Sequence, residues 1–188
     1  PQGWGEWGVG GNRAYQEFNY ALNINDVVWQ FGNQPKDYLT DVMGRLSAAL
    51  IRTNQKKPFF IELATFAPHA PYVPAPEDGH KFPNLAYDNS PPYGARPDAA
   101  APSWLKAISP LGKDDVDRVN QVFRRRAQSV LAVDRMVGAI RAQLATLGLD
   151  KNTYVVFSSD NGYHLGEYSL REGKRTPFDV DVHVPLIV

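Results

Sequence analysis

The sequence contains no cysteine, which excludes disulfides within it and leaves its redox compartment unfixed. It carries no excess of charge. Twenty basic and twenty acidic side chains give a formal net charge of zero, so nothing supports a nucleic-acid or membrane-surface partner. No apolar run is long enough to span a bilayer, and no internal repeat or signal-peptide pattern is visible. The chain opens on Pro1-Gln2-Gly3 without a methionine and closes on the apolar Pro185-Leu186-Ile187-Val188 with no turn after it. That ending predicts a piece of a longer protein. What is present is 188 residues, enough for one domain that buries roughly 70% of its unfolded surface.

The stretch from Thr153 to Pro177 organises the rest. Tyr154, Val155, Val156 and Phe157 form a continuous apolar run, which predicts a strand buried on both faces. It changes abruptly to Ser158-Ser159-Asp160-Asn161-Gly162. In an open α/β sheet, ligands sit outside the carboxyl ends of strands. Asp160 and Asn161 there offer hard oxygen donors to a cation such as Ca²⁺ or Mg²⁺, and Gly162 permits a tight turn beside them. His164, Lys174 and Arg175 follow in one loop and could hold an anion next to that metal.

Residues 1–34 are rich in Gly, Asn and aromatics, including Trp4, Trp7, Tyr15, Phe18, Tyr20, Trp29 and Phe31. They read as irregular segments and short hairpins packed on a core, with a carbohydrate-stacking platform as the sharper reading. Asn23-Ile24-Asn25-Asp26 reads as a turn between strands. Tyr38, Leu39, Val42, Met43, Leu46, Ala49 and Leu50 recur at helical spacing, predicting a helix from Pro35 to Arg52. Phe59 to Ala64 then reads as a second buried strand, and the order strand, helix, strand points to parallel α/β. Residues 66–112 hold most of the prolines, which forbid a central strand or a helix interior. His69 leaves the carboxyl end of the 59–64 strand, at the sheet edge expected for Asp160. Asp114 to Leu147 reads as a long helix closed by Gly148. Asp134 falls inside its apolar stripe, which predicts a buried, partnered carboxylate. Arg124, Arg125 and Arg126 read as a partly solvated face.

SSDNGYHLGEYSLREGKRTPFDVDVHVPLIV, ATFAPHAPYVPAPE and FRRRAQSVLAVDRMVGAI together resemble the sulfatase family of the alkaline-phosphatase-like superfamily. The resemblance covers nearly the whole chain. GWGEWGVGG, NYALNIN and DYLTDV are similar to the N-acetylglucosamine-6-sulfatase branch, with the arylsulfatases close by. It implies an α/β fold of three layers, a mostly parallel sheet flanked by helices, here incomplete. It implies a sulfuric ester hydrolase acting on sulfated sugars or aryl sulfates, through a formylglycine made from Cys or Ser and a divalent cation, usually Ca²⁺. Asp160 and Asn161 match metal ligands of the family, and His69 and Lys174 match its catalytic His and Lys. His164 and Arg175 fall where the family places substrate contacts. For His164 a loop histidine bonded to backbone is the alternative, and for Arg175 an ion pair with Asp179 or Asp181. A secreted, periplasmic or lysosomal setting is implied, with the cytoplasm left open.

The family's nucleophile motif, Cys or Ser followed by x-Pro-x-Arg, is absent, and Ser90-Pro91-Pro92 does not satisfy it. Residues 1–188 are therefore expected to be part of a sulfatase catalytic domain, without its nucleophile segment and carboxyl-terminal part. Alone, the chain is expected to be inactive, to bind metal weakly and to associate through an exposed sheet edge. Two other readings are a phosphodiesterase or phosphonate hydrolase of the same superfamily, and a non-catalytic carbohydrate-binding module. Asp160 and His164 match the Asp-x-x-x-His spacing of two-metal phosphoesterases, but Asn161 stands where those enzymes usually carry His.

Overall fold

The computed structural model describes residues 2–87 and 91–188, so Pro1 and Ser90 lie outside the described residues. In chain order the elements are β1 (Gly8–Gly10), β2 (Ala21–Ile24), β3 (Val27–Gln30), α1 (Leu39–Asn54), α2 (Ser103–Lys106), α3 (Lys113–Thr146), β4 (Phe157–Ser158), α4 (Asp179–Val182) and β5 (Leu186–Ile187). They fall into two compact units. The first holds residues 1–81 and 125–153, the second 82–124 and 154–188.

The first unit is built on apolar packing. Strands β1, β2 and β3 form an antiparallel meander in which Leu22 faces Gly10 on one side and Trp29 on the other. Its β2–β3 turn is Asn25-Asp26, both at positive φ (48° and 69°), as a two-residue hairpin of twisted strands requires. The expected turn is therefore present in its second half, while Asn23 and Ile24 belong to the β2 ladder. Ala14, Tyr20, Leu22, Leu39 and Val42 form the buried cluster, with Phe31 and Phe66 against it. Tyr20 stacks on Phe31, and Phe18 packs on Tyr38. Phe18, Tyr20 and Phe31 of the aromatic opening segment are thus spent on packing, while Trp4, Tyr15 and Trp29 stay 43%, 51% and 56% exposed. Leu39 and Val42 of the expected stripe on α1 face this core, but Leu46 and Ala49 are exposed, and the buried face of the helix continues through Gly44, Ser47 and Ile51 instead. A 3₁₀ turn over Pro35–Asp37 precedes the helix.

Glu17 caps α1 from 23 residues away, its Oε2 accepting from the Thr40 amide at 2.9 Å and the Thr40 hydroxyl at 3.0 Å. Its Oε1 is buried without a partner among the described residues. Burial pushes the Glu17 carboxyl up to about 7, against the Thr40 hydrogen bonds that pull it down.

Helix α3 agrees with the expected Asp114–Leu147 to within a residue. Asp134 does not behave as expected, because it is exposed and needs no buried partner. Asp78 is the carboxylate buried there, and Arg135 on α3 holds it at 2.5 Å. Arg126 donates to the Pro68 carbonyl at 3.2 Å and Arg124 to that of Leu85 at 3.2 Å.

The second unit has few apolar anchors, chiefly Leu105, Val119, Val122 and Leu165. Polar links hold its loops. Arg171 forks onto the Asp115 carboxylate at 2.9 and 3.1 Å, and Arg118 pairs with Glu172. Glu167 is fully buried, accepting from the Tyr87 hydroxyl and, at 2.6 Å, from the Leu165 amide.

The two segments read as buried strands differ from expectation. Phe59–Ala64 is in no strand, and Phe60 is 78% exposed. Of 154–157 only Phe157 enters a ladder, antiparallel to β5, and Tyr154 is 89% exposed. An apolar run specifies what a strand would bury, but a ladder also needs a neighbour that supplies backbone partners. Among the described residues no parallel neighbour pairs with either run.

Candidate active site

Strand β4 delivers Asp160 and Asn161 at its carboxyl end. The Ser159 hydroxyl donates to the Asn161 carbonyl at 2.8 Å, turning the chain. The Asn161 amide NH₂ donates to the Gly162 carbonyl at 2.7 Å, and its Oδ1 accepts from Lys174 Nζ at 3.1 Å. Lys174 is thus held by a neutral amide rather than a carboxylate. Among the described residues nothing cancels its charge, which stays available to an anion. Asp160 is exposed, and among the described residues its carboxylate has no protein partner.

Gly162 is required for a reason other than a turn. A Cβ there would lie 2.0 Å from the Val180 carbonyl oxygen. The backbone of 162–163 runs against α4, with Gly162 N donating to Asp181 O at 2.9 Å and Tyr163 N to Val180 O at 2.8 Å. Any side chain would separate the Asp160-Asn161 loop from that helix.

Asp181 ties the loops of this unit together. Its Oδ2 accepts from the Thr176 amide at 2.9 Å and the Thr176 hydroxyl at 2.7 Å. His164 Nδ1 lies 2.9 to 3.0 Å from both carboxylate oxygens. Burial pushes the Asp181 carboxyl up, but the bonds from Thr176 and His164 outweigh it and hold it below the ordinary Asp range. One side chain therefore fixes the Lys174–Thr176 loop, while its backbone fixes Gly162. Sequence reasoning missed this role and treated Asp181 only as a partner for Arg175. The one usable signal was a Thr five residues before an Asp at a short helix start.

His164 is 5% exposed, its backbone bridged in both directions to Gly173. Its side chain bonds to a carboxylate rather than to backbone, which neither earlier alternative foresaw. Arg175 is exposed at φ 80°. The expected ion pair with Asp179 or Asp181 is not formed, since Asp181 is taken up as described and Asp179 lies 3.5 Å from His183.

His69 belongs to the first unit. Its amide donates to the Phe66 carbonyl at 2.7 Å, and its Nδ1 lies 3.0 Å from the Ala70 carbonyl. A carbonyl partner places the proton on Nδ1 and leaves Nε2 as the working nitrogen. The ring packs on Tyr15, with centroids 4.8 Å apart, and the residue is exposed. Tyr15 also packs edge-on against Phe66, so the imidazole is buttressed from the apolar core.

Among the described residues no group of three or more His, Cys, Asp or Glu gathers as a metal site. The Asp160–Asn161 pair nonetheless fits a hard cation in its donor chemistry. The carboxylate is unclaimed, and an amide oxygen has two lone pairs, so Lys174 leaves one for a metal. Two ligands are a minority of the about six to eight oxygens that Ca²⁺ takes.

The sulfatase family's sequence model matches residues 5–188, and the chain belongs to that family. The extracellular sulfatase Sulf-1 homologue of Drosophila melanogaster is 34% identical over 194 residues, covering 100% of this chain and 17% of that protein. The N-acetylglucosamine-6-sulfatase of Homo sapiens is 34% identical over 193 residues, covering 100% of this chain and 34% of that protein. The chain thus spans 17% and 34% of the length of these relatives. Among solved structures, a protein in complex with its substrate D-glucosamine-2-N,6-O-disulfate aligns with a TM-score of 0.80 at 20% identity, covering 100% of this chain and 49% of that one. The fold class is therefore the α/β, alkaline-phosphatase-like one that the sequence implied.

Proposed function

We propose that this chain is part of the catalytic domain of a sulfatase that hydrolyses sulfate esters of sulfated sugars or aryl alcohols. The observation that carries the reading is Lys174 Nζ at 3.1 Å from Asn161 Oδ1, next to an unclaimed carboxylate. A lone ammonium beside a cation-binding pair suits the anionic sulfate of an ester, whose oxygens can face both. Asp160 and Asn161 would hold the metal, Ca²⁺ in preference to Mg²⁺, since Mg²⁺ gives up its waters reluctantly. When bound, the metal neutralises sulfate oxygens, and a formylglycine outside this chain supplies the nucleophile.

Lys174 stabilises negative charge on the group being transferred. By the family relationship His69 would protonate the departing alcohol, and its Nδ1, tied to a carbonyl, leaves Nε2 for that role. Arg175 contacts the substrate from the same loop as Lys174. His164 acts through Asp181 by holding that loop in place, since its own ring is buried. The family relationship supports this reading, and so does the sulfated glucosamine in the complex described above.

The test uses the full-length protein that contains these residues. It is assayed on an aryl sulfate, a sulfated glucosamine and the matching phosphate esters, before and after chelation. Sulfate hydrolysis lost on chelation and restored by Ca²⁺ is expected. Phosphate esters cleaved faster than sulfate esters would overturn the reading. The 188 residues alone are expected to show no turnover.

A further inference from the structure

The loop that carries His69 is anchored on both sides of that residue. Phe66 packs on the buried cluster of Ala14, Tyr20, Leu22, Leu39 and Val42. Gly10 makes room for it, since a Cβ there would lie 2.7 Å from the Phe66 ring. Ala67 is buried with Val133 and Met136 of α3. Beyond it, Arg126 donates to the Pro68 carbonyl, and the Tyr38 hydroxyl donates to that of Val73 at 2.8 Å. The backbone is therefore fixed, and the freedom left to His69 lies in its two side-chain torsions. The bond from Nδ1 to the Ala70 carbonyl is exposed, so water competes for it.

A second group touches the imidazole. The Tyr15 ring lies 4.8 Å from it between centroids, tilted by 58°. Phe66 backs that ring edge-on, at 4.6 Å and 73°, so Tyr15 is not free to retreat. Tyr15 sits in a 3₁₀ turn over Ala14–Gln16, flanked by Arg13 and Glu17 at φ of 67° and 61°. Residues other than glycine rarely occupy that region. The turn is nevertheless pinned, with Ala14 buried and Glu17 bonded to Thr40. Tyr15 itself is half exposed, and among the described residues its hydroxyl has no partner. No hydrogen bond draws it to that place. An exposed histidine does not need an aromatic neighbour either: His80 and His183 are exposed and, among the described residues, have none.

We propose that Tyr15 is a positioning residue for His69. Its ring blocks rotation of the imidazole and keeps Nε2 in the orientation from which it serves the departing alcohol. This rests on the role given to His69 above and adds to it the group that holds it. Three staggered wells in χ1 and two orientations in χ2 give an unrestrained imidazole about six positions. Holding one of them raises the competent fraction about sixfold. The gain falls in kcat, because no contact to the sulfate group changes.

The need for that proton depends on the ester. As the S–O bond breaks, its electron pair stays on the alcohol oxygen. In a sugar sulfate that oxygen takes the proton from Nε2 and leaves the imidazole neutral. A nitrophenolate is stable enough to leave as the anion. Loss of Tyr15 therefore separates the two esters, which a general loss of packing would not.

The experiment uses the full-length enzyme with a sulfated glucosamine and nitrophenyl sulfate as substrates, and circular dichroism checks the fold. Tyr15→Ala, Tyr15→Phe and His69→Ala are compared with the parent, and Tyr15→Ala is also combined with His69→Ala. Tyr15→Ala is expected to lower kcat on the sulfated glucosamine about sixfold with KM within about twofold, and to leave nitrophenyl sulfate within about twofold. Tyr15→Phe is expected to restore kcat, since the hydroxyl is not used. In the His69→Ala background Tyr15→Ala is expected to have no further effect. Equal losses on both esters, no loss on either, a Phe variant as slow as the Ala one, or a further loss in the His69→Ala background would overturn the positioning role and leave the sulfatase reading standing. Full turnover of both esters by His69→Ala would overturn the role of His69 and this inference with it. Absence of sulfate hydrolysis in the parent enzyme would overturn the sulfatase reading as well. If Tyr15→Ala does not fold, Tyr15→Leu, which keeps an apolar contact for Phe66, carries the same comparison with the same outcomes for and against.

Discussion

The two compact units are held together by different physics. The first closes over Tyr20, Leu22, Leu39 and Val42, apolar side chains from a hairpin and a helix. The second has few such anchors and relies on buried carboxylates, Glu167 and Asp181, each accepting several hydrogen bonds. An apolar core tolerates small shifts, because burial has no direction. A carboxylate with fixed donors does not, because hydrogen bonds weaken steeply with angle. The loops that carry Asn161 and Lys174 are those built the second way, as positioning for chemistry requires.

The strongest way to break this contrast is Lys174→Ala in the full-length protein. Sulfate-ester turnover should fall by about 100- to 1000-fold with the melting temperature unchanged, and retained turnover would remove the site. Leu39→Ala should do the reverse. It should cost about 3 kcal/mol of stability in the first unit, read by urea denaturation, with kcat per folded molecule preserved.

Glu17 sharpens the comparison, because it is a buried carboxylate inside the apolar unit. Its folded carboxyl is raised to about 7. The folded state therefore keeps its proton where the unfolded chain has lost it, and stability falls as pH rises across that window. The loss should be about 2 kcal/mol between about pH 5 and pH 7. Glu17→Gln should flatten that slope in denaturation curves taken across pH, and a slope unchanged by the substitution would refute the assignment.

The smallest effect is expected for Asp181→Asn, a loss of about tenfold in kcat with KM nearly constant. Asp181 is held below its ordinary value. Its stabilising contribution is present above the ordinary Asp value and is lost as pH falls through the lowered one. Acid unfolding of the wild type should therefore lose this term, and the variant should show a shallower acid limb. An identical limb would mean that the Thr176 and His164 bonds do not couple to folding.

Much of this was legible in the residue order. Both long helices follow from apolar spacing, since a helix closes its hydrogen bonds within its own segment. The turn at Asn25-Asp26 follows from residues that tolerate positive φ. The Asp160-Asn161 donors and the downstream Lys174 were visible as chemistry, and the family could be read from them. Tertiary structure alone decided which carboxylate is buried. Asp134 reads as part of a stripe with Val130 and Val137, but Val130 is itself 40% exposed and the buried residues there are Ala132, Val133 and Met136, while Asp181, on a four-residue helix with no periodic signal, is 4% exposed. It also decided that Gly162 serves a close backbone approach, and that the runs at 59–64 and 154–157 are not paired as parallel strands. In each case the deciding partner lies elsewhere in the sequence, and a pattern read along the chain registers only what a segment can do with itself.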